Sequence, residues 1–288
     1  RVKAPYGLYN ETRDFDAVRT FVNLPAPVYN SELRDYFVGL NGLGIYGNVS
    51  AGAAGDFDYQ AQYGNVQLDP DGGIAFFFNN SGVMTFQKGE SNHAANAQFV
   101  WNTPVDGLRL GSTWNWFDFD SQVQLAFFLA GSLPPGTSLQ QTYTTRNTRY
   151  FVQSAEYVVA DFVFAAEYQR WLGDVLNPIM GGFSANSDAF YVSGSYRANE
   201  WLEAGAYYGE ATSDVDENTS NPEHRGYMKD LALALRFDVT PNMIFKVEQH
   251  FVDGTYHNMG SINSEATAAS WDGDGKWNYF ASRVTFVF

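Results

Sequence analysis

The chain contains no cysteine and no apolar run long enough to cross a membrane as a helix. A spanning helix needs about 20 consecutive apolar residues. The longest apolar stretch here, 123–133, is broken by Gln124, Gly131 and Ser132. A helical membrane protein is thereby excluded. A strand-built one is not, because a spanning strand needs only about 9 to 11 residues. Without cysteine there is no disulfide framework and no thiolate ligand, so a zinc centre is not expected. The absence also suits an oxidising compartment, where stray thiols are a liability. Positive charge is scarce: 17 Lys and Arg face 32 Asp and Glu, a net charge of −15. Nucleic acid, which calls for a basic face, is not an expected partner. No signal peptide is visible and the first residue is not Met, so the sequence reads as processed or truncated.

Aromatic residues are abundant, at 17%, with 18 Tyr and 24 Phe. They do not form continuous core segments; they alternate with polar residues. In 280–288, Phe280, Ser282, Val284, Phe286 and Phe288 share one face, and Ala281, Arg283, Thr285 and Val287 share the other. A period of two is the mark of a strand. Leu231, Leu233, Leu235 and Phe237 alternate in the same way with Ala232, Ala234, Arg236 and Asp238. Phe245, Val247 and Phe251 oppose Lys246, Glu248 and His250. Twelve such segments are expected, at 1–9, 36–47, 56–68, 92–102, 107–119, 148–157, 162–171, 188–197, 201–212, 227–238, 243–254 and 277–288.

The connections fall into two alternating classes. Short ones lie near 48–55, 103–107, 158–161, 197–200 and 239–242. Long polar ones lie near 10–35, 69–91, 120–147, 172–187, 213–225 and 253–275. Short turns at one end and long loops at the other mark a transmembrane barrel. The expected fold is all-β: one domain over 1–288, a transmembrane antiparallel meander β-barrel with the long loops outside. Lipid on one face and water on the other forces charge inward, since Arg or Lys at the bilayer midplane costs about 2 to 4 kcal/mol. The residues expected to line a pore are therefore Lys3, Asp58, Arg109, Glu167, Glu203, Arg236, Lys246, Glu248 and Arg283. Trp101, Trp114, Trp116, Tyr168, Tyr196, Trp201 and Tyr208 lie on apolar faces or near strand ends and read as interfacial girdles.

The last strand, with Phe280, Val284, Phe286 and a terminal Phe288, looks like the assembly signal of outer-membrane barrels. That likeness implies the barrel-assembly machinery as a partner and the bacterial outer membrane as the location. Lipid and lipopolysaccharide would then surround the barrel, and a homotrimer is one assembly open to it. At the other end, Arg1-Val2-Lys3-Ala4-Pro5-Tyr6-Gly7-Leu8-Tyr9 carries K-x-P-[FY]-G. It is followed by Asn10-Glu11-Thr12-Arg13-Asp14 and, later, by a Gly-rich 42–47 ending in Tyr46-Gly47. These residues, within the first 65 or so, resemble the phosphate-selective porin-like family of Gram-negative bacteria. In that family several strands precede the motif, so the resemblance implies upstream strands and a complete barrel of 16. It also implies an anion pore lined by basic residues. Only Lys3 falls on a matching position, and the acidic balance points towards cations.

Other chemistry is sparse. The four histidines, His93, His224, His250 and His257, show no metal-binding spacing. There is no G-x-S-x-G elbow, and a pairing of His250 with Ser261 or Ser264 has nothing to position it. Carboxylates cluster at Asp118 and Asp120, at 214–217 and at 272–274, without the spacing of a calcium loop. They read as an outer surface bridged to lipopolysaccharide by divalent ions. No cofactor and no enzymatic activity are expected. The function expected is a porin, a water-filled channel for passive diffusion of small hydrophilic solutes or ions, tilted towards cations by the loop carboxylates near its mouth. Lys3, Arg109, Arg236, Lys246 and Arg283 would oppose that tilt if they gathered at one height. The alternative is a structural barrel that sheathes a partner such as an electron-transfer cytochrome, with an outer-membrane enzyme or adhesin behind it.

Overall fold

The computed structural model describes residues 1–12, 15–30, 34, 39–79, 84–125, 139–177, 181–184, 186–213, 224, 226–256 and 275–287. Phe288 and the acidic segments 214–217 and 272–274 lie outside the described residues, as do His257, Ser261 and Ser264.

The strands are β1 (Asn41–Ser50), β2 (Asp56–Asn65), β3 (Gln67–Leu68), β4 (Met84–Asn102), β5 (Leu108–Leu125), β6 (Leu139–Val159), β7 (Phe162–Asn177), β8 (Gly181–Ser184), β9 (Ser187–Arg197), β10 (Leu202–Ser213), β11 (Tyr227–Thr240), β12 (Met243–Gly254) and β13 (Lys276–Phe286). One short helix, α1, spans Gly73–Asn79. The strands form a single antiparallel sheet in sequence order, with the short β3 and β8 pairing beside the main path on β4 and β7. This is the meander of a transmembrane β-barrel, and it ends at two edges, β1 and β13, which do not pair with each other among the described residues.

Period two sets the faces. On β11, Leu231, Leu233 and Leu235 are exposed, while Asp230, Ala232 and Ala234 are buried. On β12, Ile244, Lys246, Glu248, His250 and Val252 all point into the concave side. The convex side carries the large apolar residues, among them Phe99, Phe164, Phe190, Val192, Phe251, Phe280, Val284 and Phe286. All seven expected girdle aromatics lie on this exposed convex side. Near the short-turn end, Phe57 stacks on Trp101 at 5.9 Å, Phe162 on Tyr196 at 4.6 Å and Trp201 on Phe237 at 6.2 Å. An exposed apolar surface of this extent is a contact surface for another apolar phase.

The short connections lie at the end of the sheet where the chain terminates, since the Val287 amide donates to the Asn242 carbonyl at 3.0 Å. The β4–β5 turn depends on Gly107, whose φ is +76° and whose missing Cβ would meet the Val158 carbonyl oxygen at 1.9 Å.

Two expectations need correction. First, several long loops are partly strand: β4 begins at Met84, β5 runs to Leu125, β6 starts at Leu139 and β7 reaches Asn177. Beyond Trp116 the two faces exchange character. Phe117, Phe119, Ser121 and Val123 are buried inside, while Asp118, Asp120, Gln122 and Gln124 point outward. A strand that has left the lipid faces water outside, so the apolar-out pattern stops although the ladder continues.

Second, 1–9 is not a strand and 10–35 is not an outer loop over its described part. Among the described residues of this segment only Val2 makes a β-bridge, pairing with Leu40. Pro5 lacks a donor and Gly7 takes φ +58°, which ends any ladder. From there the segment enters the concave side and crosses it. Ala4, Tyr6, Asn10, Thr20, Val22, Leu24, Val28 and Tyr29 are all buried. Tyr6, Leu24, Val28 and Tyr29 join Phe86, Phe117, Phe119, Val123, Tyr150 and Tyr191 in an apolar cluster inside the sheet. The expected twelve strands thus become thirteen of different make-up among the described residues, and the concave side is occupied along this wall.

Candidate functional site

The concave face is where charge collects, and the N-terminal segment is held to it by three polar anchors. The first is Glu167 on β7, 2% exposed. Its carboxylate accepts from the Leu8 amide at 2.8 Å, the Ser154 hydroxyl at 2.6 Å, the Tyr191 hydroxyl at 2.8 Å and the Tyr29 hydroxyl. Beside it, Gln98 donates to the Gly7 carbonyl and Gln62 to the Lys3 carbonyl.

The second anchor is Glu248 on β12. It accepts from the Val22 amide at 2.7 Å and the Asn23 amide at 3.3 Å. His250 lies beneath it, wholly buried, with Nε2 at 2.5 Å from Glu248 and Nδ1 at 3.0 Å from Asp230. A neutral imidazole has one N–H, so only the protonated ring can donate to both carboxylates. Tyr207 donates to Asp230, and Tyr279 stacks on the imidazole at 4.0 Å. Asp230, Tyr207 and Tyr279 were missed from sequence. Their signal was present, as inward positions of the same period.

The third anchor is a row of charge at one level. The register pairs Arg197 with Glu203, Glu203 with Arg236, Arg236 with Lys246 and Lys246 with Arg283. With neighbouring strands roughly 4.8 Å apart, the row spans about 19 Å across five strands. Arg197 bridges Glu203 at 2.6 Å and Asp238 at 2.7 Å, and Arg236 meets Asp238 at 2.9 Å. Like charges directly opposite one another destabilise a sheet, so Arg236, Lys246 and Arg283 need an anionic cover. The N-terminal segment supplies it. Arg236 donates to the carbonyls of Ala17 and Arg19, and Lys246 to that of Asp16 at 2.6 Å. The Asp16 carboxylate meets Lys246 at 3.2 Å, Arg283 at 3.0 Å and Arg19 at 3.5 Å, and accepts from Thr285. Burial alone would raise the Asp16 pKa, but the Thr285 hydrogen bond and the Lys246 and Arg283 charges outweigh it and hold it below the usual carboxylate value.

Eight of the nine expected lining positions fall on the concave face of the sheet, Lys3 lies off the sheet in the N-terminal segment, and only some of the nine are brought together. Glu203, Arg236, Lys246 and Arg283 share the row, with Glu248 one inward position beyond Lys246 on the same strand. Glu167 stands apart at the first anchor. Lys3 donates to the Glu11 carbonyl at 3.0 Å, Arg109 pairs with Glu156 at 2.8 Å, and Asp58 accepts from Asn48 and Asn102. Three of the five basic residues therefore converge. Asp118 and Asp120 sit on the outer side of β5, bonded to the Asn147 amide and to Thr144 and Arg146. Among the described residues no group of three or more His, Asp or Glu is arranged to hold a metal ion.

A comparison with protein-family models finds no match, and neither does one with curated proteins. Solved structures with some likeness include OmpT, an outer membrane protein of Vibrio cholerae, at 15% identity, covering 85% of this chain and 88% of that one with a TM-score of 0.41. The NanC porin is 13% identical over 68% of this chain and 94% of that one, TM-score 0.36. An anion-selective porin from Comamonas acidovorans is 10% identical over 75% and 79%, TM-score 0.35. Overlaps this loose carry no weight of their own; the chain's own two-faced sheet does.

Proposed function

We propose that this chain forms the wall of a bacterial outer-membrane channel for small hydrophilic solutes or ions, restricted along one side by its own inward-folded N-terminal segment. The observation that carries this reading is the opposition of the two faces. The convex face exposes rows of Leu, Val, Phe and Trp, which only a lipid phase makes favourable. The concave face gathers Arg197, Glu203, Arg236, Lys246 and Arg283 at a single level. Ordered charge of that kind polarises the water and counterions of a passage. The exposed Phe280, Val284 and Phe286 on the last strand, at 63%, 52% and 58%, are available to an assembly machinery that reads apolar side chains. A trimer remains compatible with the exposed edges and convex face.

A structural barrel is the second reading, favoured by the buried apolar cluster around Tyr6, Tyr29, Phe119 and Tyr191. Planar-bilayer recording of the refolded protein decides between them. Discrete, ohmic conductance steps support the channel; an electrically silent, correctly inserted protein supports the structural barrel.

A further inference from the structure

We propose that Lys246, Arg283 and Thr285 form a binding site for the carboxylate of a small anionic solute, occupied in this conformation by the protein's own Asp16. The inference rests on the channel reading and names the solute class that its charged level would take.

The geometry is that of a built carboxylate cradle. Lys246, wholly buried, and Arg283 converge on the same oxygen, Asp16 Oδ1, at 3.2 and 3.0 Å, while Thr285 donates to the other, Oδ2. Both oxygens of a planar carboxylate are thus served from two adjacent strands of a rigid sheet. Arg19 approaches Oδ1 at 3.5 Å, and its Nε is buried with no hydrogen-bond partner among the described residues. A further donor therefore lies beside the cradle, on the occupant's own segment. Among the described residues, Asp16 is the one carboxylate within ion-pair distance of Lys246, Arg283 or Arg19, so three cations share one negative charge. Arg236, next in the row, adds to the positive potential, although Asp238 and two backbone carbonyls hold it.

The occupant belongs to a different kind of structure from its cradle. Lys246, Arg283 and Thr285 are on long ladders, whereas Asp16 sits in a three-residue 3-10 turn, Asp16–Val18, within a segment that among the described residues makes no ladder with the sheet beyond the Val2–Leu40 bridge. A tethered carboxylate acts as a ligand of high effective concentration, in the millimolar range for short flexible tethers. Removing it exposes the intrinsic affinity of the site, because the apparent dissociation constant is the intrinsic one divided by the fraction of molecules with the site free. Arg283, with a side chain 43% exposed, is the face by which a solute would enter.

Calorimetric titration of the refolded protein in detergent with sodium acetate, at constant ionic strength set by chloride, tests this. Wild type should bind acetate weakly. Asp16→Ala should bind it about tenfold more tightly or better, the factor expected if Asp16 fills the cradle in nine molecules of ten or more. Adding Arg283→Gln to Asp16→Ala should remove the gain. Asp16→Asn, which keeps the side-chain volume, covers the case in which the alanine variant fails to fold. Equal acetate affinity in wild type and the folded Asp16 variant overturns the proposal, as does a gain that survives Arg283→Gln. Bilayer conductance on the same samples separates the two readings. Conductance without acetate binding refutes the cradle alone; acetate binding without conductance refutes the channel alone.

Discussion

Replacing Glu167 with alanine should release the start of the N-terminal segment from the sheet. The carboxylate accepts four hydrogen bonds, from the Leu8 amide, Ser154, Tyr191 and Tyr29, and the residue is 2% exposed. Hydrogen bonds to a charged group contribute about 1.5 to 3 kcal/mol each, and a buried donor left unmade costs about 1 to 3 kcal/mol. The four do not add, because the three hydroxyls can rotate towards other acceptors and because deleting a buried charge also removes its desolvation cost. The Leu8 amide has no such freedom. A loss of about 3 to 5 kcal/mol is expected for Glu167→Ala. Glu167→Gln keeps the shape and one carbonyl oxygen, and the hydroxyls can turn to accept from its amide, so about 1 to 2 kcal/mol is expected there. Urea unfolding in detergent micelles measures both, and trypsin cleavage after Arg19 reports release of the segment directly. The reasoning fails if Glu167→Ala lies within about 0.5 kcal/mol of wild type, the range of ordinary surface changes, with Arg19 still protected.

His250→Ala should cost about 3 kcal/mol or more, because it strands Asp230 and Glu248 as buried, unpaired carboxylates. Urea midpoints measure this, and a neutral outcome would mean the two carboxylates are not both charged. The Asp16 contact should weaken in acid. Its pKa is lowered in the folded state, so the contribution is complete above the usual carboxylate value of 3.8 and is lost as pH falls through the lowered value. Trypsin protection of Arg19 should therefore hold from neutral pH to about pH 4 and be matched to an acid-induced loss, read by hydrogen exchange below that pH, which Asp16→Asn abolishes. Phe288→Asp should sharply reduce the heat-modifiable, folded protein recovered from outer membranes, because a charge replaces the terminal aromatic of the sequence; wild-type recovery would remove the assembly-signal reading.

The lipid-facing half of the fold was legible because lipid imposes one rule at every position. Leu231, Leu233 and Leu235 face out and Arg236, Lys246 and Arg283 face in, with no register slip from the expected pattern. Legibility ended where the solvent changed. Above Trp116 the strands continue into water, and Asp118, Asp120 and Gln122 replace the apolar outward positions, which reads as a loop although the ladder persists. The N-terminal segment was illegible for a related reason. Its Val2, Ala4 and Tyr6 alternate as a strand would, yet only Val2 bridges to Leu40, while Ala4 and Tyr6 pack into the interior of the same chain. Periodicity shows which residues seek burial and not what buries them. The convergence of Arg236, Lys246 and Arg283 depends on the register across three strands, which alternation within each strand does not specify, and their neutralisation by Asp16 is a long-range contact with no local signature.

If the convex face meets lipid while the concave face does not, spin-label accessibility in reconstituted bilayers will separate the two. Single cysteines at Leu231, Leu233, Phe280 and Val284, each labelled with a nitroxide, should collide with dissolved oxygen more often than with a water-soluble nickel chelate. Asp58, exposed on the concave side, should show the opposite preference. Nickel accessibility at Leu233 and Val284 equal to that at Asp58 would place both faces of the sheet in water and rule out a lipid-facing convex side.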